Sequence, residues 1–215
     1  MMPSPAALPP TLALLIAVVA ATGCSLKQAA PIKKSFLIEA QRTGAARTGA
    51  PTMVLRLRNV SVAPPFAGRS FVYRRGEFEY EAEFYHEFLV PPRALFIEQT
   101  SHWLSRSGIF ALVDVTGRSD PPYVLDGTVS ALYGDMRDKQ APKAVLAIDF
   151  VLTDEQSRSI PGLWTHRYKE ELPLDRATPE ALAAGWSTAL QRVLTALEQD
   201  LEKDLAAASR PRASQ

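Results

Sequence analysis

The sequence predicts a single α+β domain: a mostly antiparallel sheet with two main helices packed on it. Three observations carry this. Several stretches alternate polar and apolar residues with period two, as in Met53 to Val62 (MVLRLRNVSV) and Glu77 to Phe84 (EFEYEAEF), the signature of half-buried strands. Near the C-terminus, Leu182, Trp186, Leu190, Val193, Leu194, Leu197, Leu201 and Leu205 recur at spacings of three and four, the stripe of an amphipathic helix. Strands and helices do not alternate along the chain, which argues for α+β rather than a parallel α/β sheet.

Taken in order, the chain opens with an uncharged segment whose apolar run, Thr11 to Ala21, closes on Thr22-Gly23-Cys24. That run is shorter than the roughly 20 residues of a membrane-spanning helix. Ending at small residues, it reads as a signal peptide over residues 1–23, although its first ten residues carry no Lys or Arg. Residues 24–34 are a polar tether, and residues 35–207 form the domain. Ser35 to Ala40 (SFLIEA) has the content of a first strand, and Arg42 to Pro51 that of a loop. After Met53 to Val62, the prolines Pro64 and Pro65 end the strand because neither can donate to a ladder.

Phe71 to Arg74 and Glu77 to Phe84 flank Arg75-Gly76, a turn signal. The second run sets Glu77, Glu79, Glu81 and Glu83 on one face, opposite Phe78, Tyr80, Ala82 and Phe84. Carboxylates spaced along a strand do not converge as a metal or acid–base site requires. The acidic row therefore reads as a solvated face beside Arg56, Arg58 or Arg74. His86 to Pro92 leaves the strand. A helix over Arg93 to Ser107 places Phe96, Thr100, Trp103 and Ser107 on one stripe, with Gly108 as its stop. Ile109 to Val115 reads as a buried strand.

Tyr123 to Tyr133, Lys143 to Thr153 and Leu163 to Glu171 read as three strands joined by polar, turn-forming connectors. Both faces of the middle strand are largely apolar, as expected of a central strand covered on both sides. Thr178 is a good N-cap and Pro179 suits the first helical position of the last helix. Its mixed polar face suits packing on the sheet better than a membrane-surface helix, which favours Lys and Arg there. The apolar stripe ends at Leu205; Ala206 to Gln215 reads as a disordered tail, with the domain bounded at residue 207 and the tail proper at 208–215.

Composition excludes several functions. The formal charge is +1, which argues against nucleic-acid partners. Cys24 is the only cysteine, so there is no disulfide within the chain, and acylation would leave no thiolate for catalysis or metal binding. His86, His102 and His166 lack zinc-ligand spacing, and no nucleophile elbow or phosphate-binding loop is present. No cofactor, no metal and no enzymatic activity are expected.

Thr22-Gly23-Cys24 resembles the lipobox of bacterial lipoproteins, where the peptide is cut between Gly23 and Cys24 and the thiol is acylated. It departs from the pattern in having Ala21 where Leu is commonest; the alternative is an ordinary signal peptide with a stray thiol. By the same resemblance, Ser25 in place of Asp implies sorting to the outer membrane, with the domain facing the periplasm.

A second resemblance has its core at Val60 to Val113, carried by NVSVAPPF, FVYRRGEFEYEAEFYHEFLVPPRAL and LSRSGIFALV, and extends loosely over the mature domain to the C-terminal helix. These segments resemble the ABC-type transport auxiliary lipoprotein family, similar to the lipoprotein of the paraquat-inducible envelope system. Tyr73-Arg74 and Tyr85 match the family pattern, whereas Phe88 stands near the place of an expected Trp. The resemblance implies a non-enzymatic component that docks a lipid-transport system at the outer membrane. Its partner would be a mammalian-cell-entry (MCE) domain protein of the periplasm, and a homo-oligomer is within its range.

Pro64, Pro65, Phe66, Tyr73 and Tyr85 are the candidate partner-binding residues, since aromatic side chains favour interfaces; the alternative is that Phe66 and both tyrosines are core. An adaptor for another envelope machine, such as cell-wall synthesis, and a periplasmic lipid or cell-wall enzyme are the competing readings. Cys24→Ser should give a folded domain that no longer incorporates labelled palmitate in a bacterial host. A wild-type protein released soluble and unlabelled would defeat the lipoprotein reading.

Overall fold

A computed structural model describes residues 32–47, 49–156 and 162–208. The signal segment, Gly23, Cys24, most of the tether and the tail beyond Ala208 lie outside the described residues. From Lys33 onward the chain forms one compact unit. Its strands are β1 (Lys34–Phe36), β2 (Met53–Val62), β3 (Ser70–Arg74), β4 (Tyr80–Phe88), β5 (Phe110–Asp114), β6 (Tyr123–Asp135), β7 (Lys143–Asp154) and β8 (Gly162–Pro173). The helices are α1 (Pro92–Ser105) and α2 (Pro179–Ala208), with a 3-10 turn at Pro64–Phe66. The α+β class holds, and α2 carries the chain as helix through Ala208, into the stretch expected to be tail.

One eight-stranded sheet runs in the order β1-β4-β3-β6-β2-β5, with β7 on the remaining edge of β6 and β8 beyond it. The long ladders, β6–β7 and β7–β8, are antiparallel, as is the β3–β4 hairpin. The other four pairings are parallel: β1–β4, β2–β5, β2–β6 and β3–β6. Hairpin signals reveal only local pairings, so these crossovers are not visible in the turn residues. β6 is long enough to hold two partners on one edge: β2 along Tyr123–Val129 and β3 at Gly134–Asp135.

Period-two alternation divides the sheet into a helix-covered face and an open one. On β7, the side chains of Ala144, Leu146, Ile148, Phe150 and Leu152 are fully buried toward the helices. The other face of β7 is buried at Val145 and Ala147, but only half-covered at Asp149 and Val151. The open face instead carries ion pairs and hydroxyl contacts: Arg58 with Asp126 and Glu155, Arg167 with Asp149, and Ser61 with Thr128. β5 is the outermost strand beyond β2, which leaves Leu112 about half exposed. This corrects the buried strand expected there: an apolar run does not reveal a missing neighbour.

α1 begins where Pro91 and Pro92 occupy its N-terminus, a position at which the missing N–H costs nothing. It buries Leu95, Phe96, Thr100, Trp103 and Leu104. It ends before Gly108, whose φ of +77° only glycine adopts readily; a Cβ there would also meet the Arg47 amide at 2.8 Å. In α2, the Thr178 hydroxyl caps the Ala181 amide at 3.2 Å. Gly185 lets the helix settle on β7, because a Cβ at that position would stand 2.7 Å from the Ala144 methyl.

Trp186 sits one residue further on, fully buried, with its ring 4.9 Å from Phe71 and 5.4 Å from Phe88. Its indole N–H donates to the Val145 carbonyl at 3.2 Å. Burying such a stripe contributes about 1.5–3 kcal/mol for each large side chain.

Polar clasps lock the far half of α2. Glu198 accepts two hydrogen bonds from Arg42, at 2.9 and 2.8 Å, and a third from the Trp103 indole at 2.7 Å. One carboxylate thus joins the loop after β1, α1 and α2. The Arg42 and Glu198 side chains are only 10% and 16% exposed. Removing one member of a buried pair strands the other in a poor solvent, at a cost of about 3–5 kcal/mol. Glu198→Ala should therefore lower the unfolding free energy by about 3 kcal/mol in urea titrations. Glu198→Gln, which keeps an acceptor for Trp103, should cost less. Equal losses in the two variants would show that the charge pair does not hold the helix.

Candidate interaction surface

The candidate surface grows from the β3–β4 hairpin and the 3-10 turn that precedes it. The Ala63 amide donates to the Val129 carbonyl at 2.9 Å, and the Phe66 amide turns back to the Ala63 carbonyl at 2.9 Å. This folds Phe66 onto the open face of the sheet, where its ring stacks 5.8 Å from Tyr133. Tyr80 completes the cluster, edge-on to Tyr133 at 5.5 Å and 6.2 Å from Phe66. The Arg74 guanidinium stands 5.6 Å over the Tyr80 ring.

Phe66 and Tyr133 are buried within this group, whereas Tyr80 is 44% exposed and Pro64 and Pro65 are open to solvent. At the hairpin tip, Phe78 is 88% exposed. These exposed apolar side chains make this side of the domain the candidate interaction surface.

A second exposed group lies on the same strand. Ser70 pairs with Glu87 and Val72 with Ala82, so β4 carries extra residues between those pairs and bulges outward. Phe84 and Tyr85 project from the bulge, with their rings 5.0 Å apart. The Glu83 carboxylate accepts the Phe84 and Tyr85 amides at 3.0 and 3.1 Å. Lys33 holds its ammonium 4.7 Å over the Phe84 ring and 3.8 Å from Glu87.

Of the residues expected to bind a partner, Pro64, Pro65 and Tyr85 are exposed, whereas Phe66 and Tyr73 are core. Tyr73 lies under the Arg75 guanidinium, 5.0 Å from its ring. Burial, with the Glu83 charge adding, pushes its phenol up to about 12. Pro64, Pro65 and Phe66 form one site with Tyr80 and Tyr133; Tyr85 belongs to the bulge.

The acidic row does not survive folding. The Arg75 and Gly76 amides both donate to the Glu79 carbonyl, so Glu77 and Glu79 fall in the turn and the strand starts only at Tyr80. Glu81 pairs with Arg75 and Glu83 caps the bulge, while Arg56 faces Asp120 in the β5–β6 loop and Arg58 faces Asp126 on β6 and Glu155 just past β7. The strand also continues through His86 to Phe88, held there by β1.

Tyr80, Phe78 and Phe84 escaped sequence reasoning because strict alternation places them on the face that an amphipathic strand normally buries. The one available signal was Gly76, whose turn places the hairpin tip beyond any covering element.

Two carboxylates elsewhere are tied into the fold. His166 and Tyr168 both hydrogen-bond Asp200, at 3.0 and 2.7 Å, and tie β8 to α2. Burial alone would raise the Asp200 carboxyl; these hydrogen bonds outweigh it and hold it below its usual range. Burial and the Asp200 contact push the Tyr168 phenol well above its ordinary value.

Asp114 accepts from the amides of Thr116, Gly117 and Ser119 and from both hydroxyls, Ser119 most strongly, which holds it far below the carboxylate range. Its oxygens close the loop after β5. Among the described residues, no three His, Cys, Asp or Glu side chains gather as metal ligands, and no helix is long and apolar enough to cross a membrane.

No protein-family model and no curated protein match the sequence. Solved structures do match the fold. The protein XCC0632 from Xanthomonas campestris, of family DUF330, superposes with a TM-score of 0.70 at 16% identity, covering 82% of this chain and 99% of that one. An uncharacterised protein matches at a TM-score of 0.64 and 13% identity, over 79% of this chain and 99% of its own. CT253 from Chlamydia trachomatis matches at 0.52 and 12% identity, over 72% and 98%. At these identities the likeness establishes a shared fold.

Core and surface aromatics should separate in stability measurements. Phe66→Ala should lower the unfolding free energy by about 3 kcal/mol, the scale of a buried ring lost. Phe78→Ser should change it by no more than about 0.5 kcal/mol, as an exposed substitution does. A large loss from Phe78→Ser in denaturant titrations would mean that its ring is not free for a partner.

Proposed function

We propose that this chain is a non-enzymatic lipoprotein, anchored through Cys24 in the outer membrane. In this reading it serves as an auxiliary component of an ABC-type, MCE-linked lipid-transport system and docks that system to the membrane. The observation that carries the reading is where the sequence resemblance falls in the fold. Val60 to Val113 folds as the end of β2, the 3-10 turn, β3, β4, α1 and most of β5. The exposed hairpin aromatics, Phe78 and Tyr80, lie within it beside Pro64 and Pro65.

A family-like segment that builds the exposed aromatic surface fits a role in binding a protein. The anchor adds to it: a tethered domain meets partners near the same membrane at high effective concentration. Docking needs only this surface and the tether, with no reacting group. Ser25 supports sorting to the outer membrane by its likeness to the sorting rule.

The test is co-purification. The acylated protein, extracted in mild detergent, should recover an MCE-domain protein encoded with the same transporter. Phe78→Ser with Tyr80→Ser should weaken that recovery strongly, since interface aromatics often carry about 2 kcal/mol, roughly thirtyfold in affinity. Recovery of a cell-wall synthase without any MCE protein would favour the other adaptor reading. Undiminished recovery by the double variant would remove the hairpin from the interface.

A further inference from the structure

We propose that the β4 bulge, Phe84 and Tyr85 with Lys33 beside them, is a membrane-contact patch that rests in the headgroup layer of the bilayer holding Cys24. This rests on the anchored reading above and adds a contact to it. Phe84 is 67% exposed and Tyr85 36%, and aromatic rings of this kind favour the membrane–water interface. The chain reaches the patch directly from its anchor, because Lys33 lies against the Phe84 ring. Nine residue steps separate Cys24 from Lys33, and nine extended residues span at most about 30 Å. The patch therefore stays within reach of the bilayer however the domain turns on its tether.

The backbone of the bulge is satisfied within the chain, since Glu83 accepts both the Phe84 and Tyr85 amides and can keep its carboxylate among the hydrated headgroups. The same bonds argue against strand addition by a protein partner, since these amides are not free to start a ladder. Symmetric pairing with a second copy along β4 would set Glu81 and Glu83 against the partner's like charges, which is unfavourable.

The rim is balanced in charge: Lys33 and Arg69 both meet Glu87, while Glu83 faces His86. The contact is therefore driven by ring insertion and not by attraction to anionic lipid. Lys33 can keep its ammonium in the headgroups while its stem follows the ring.

Because the only native cysteine is the one acylated, an introduced thiol can be labelled alone. Ala82→Cys, exposed and two residues from Phe84, would carry an environment-sensitive fluorophore; Ala111→Cys on β5, at the opposite end of the strand order, serves as control. The full acylated protein is reconstituted in phosphatidylethanolamine–phosphatidylglycerol vesicles containing headgroup-region spin-labelled lipid. Quenching should be several-fold stronger at position 82 than at 111 and insensitive to high salt. Phe84→Ser with Tyr85→Ser should bring position 82 down to the control level.

Equal quenching at the two positions, or no change in the double variant, would overturn the patch. Mass spectrometry reports acylation separately. Should Cys24 prove unmodified, the Cys24→Ser chain, held to nickel-chelating vesicles by a histidine tag ahead of Ser25, gives the same comparison, so that failure of the anchor and failure of the patch are distinguishable.

Discussion

The structure depends on how α2 lies across the sheet at Trp186. Its indole fills the space between β7 and the Phe71 and Phe88 rings, so one side chain bridges the C-terminal meander and the N-terminal hairpin. The indole N–H needs an acceptor in that apolar setting, and the Val145 carbonyl supplies it. Such closeness requires a residue without a side chain just before it, which Gly185 provides. The last strands, the first hairpin and the long helix thus all meet at one side chain.

With one face of the sheet closed in this way, the other is left to polar chemistry and to function. Ion pairs such as Arg58–Asp126 and Arg167–Asp149 lie across part of it, and each adds little because water screens exposed pairs. Where the pairs stop, the 3-10 turn folds Phe66 over Tyr133 and leaves Tyr80 half in solvent. The buried members of that cluster set the position of the exposed ones. A partner would meet a surface whose shape is determined by the core, and little side-chain freedom would remain to be lost on binding.

The sequence made the elements legible wherever local chemistry dictates them. Met53 to Val62 has the strand bounds that its alternation implies, and Thr178-Pro179 marks the start of α2 through capping alone. Legibility ended where a distant neighbour decides. The acidic row failed because the turn signalled at Gly76 reaches as far as Glu79 and a bulge follows in β4; neither that reach nor the bulge leaves a mark in a run of Glu and Phe. Leu112 looked buried because nothing in Ile109 to Val115 says that β5 has no outer partner. At the site, the proline turn with Phe66 could be picked out from its residues. Tyr133 could not, since its contact with Phe66 depends on β2 and β6 lying side by side from far apart in the chain.

That side-by-side arrangement also sets an order of events. β2 and β3 both pair in parallel with β6, a strand made well after them, and parallel neighbours cannot close through a short turn. The β6–β7–β8 meander and α2 are sequential and join by local connections, and short-range contacts form faster than long-range ones. The early strands must therefore wait, unpaired along that edge, until the C-terminal half has been delivered. For a chain that crosses a membrane amino-terminus first, the part nearest the anchor would be among the first to emerge and the last to find its place in the sheet.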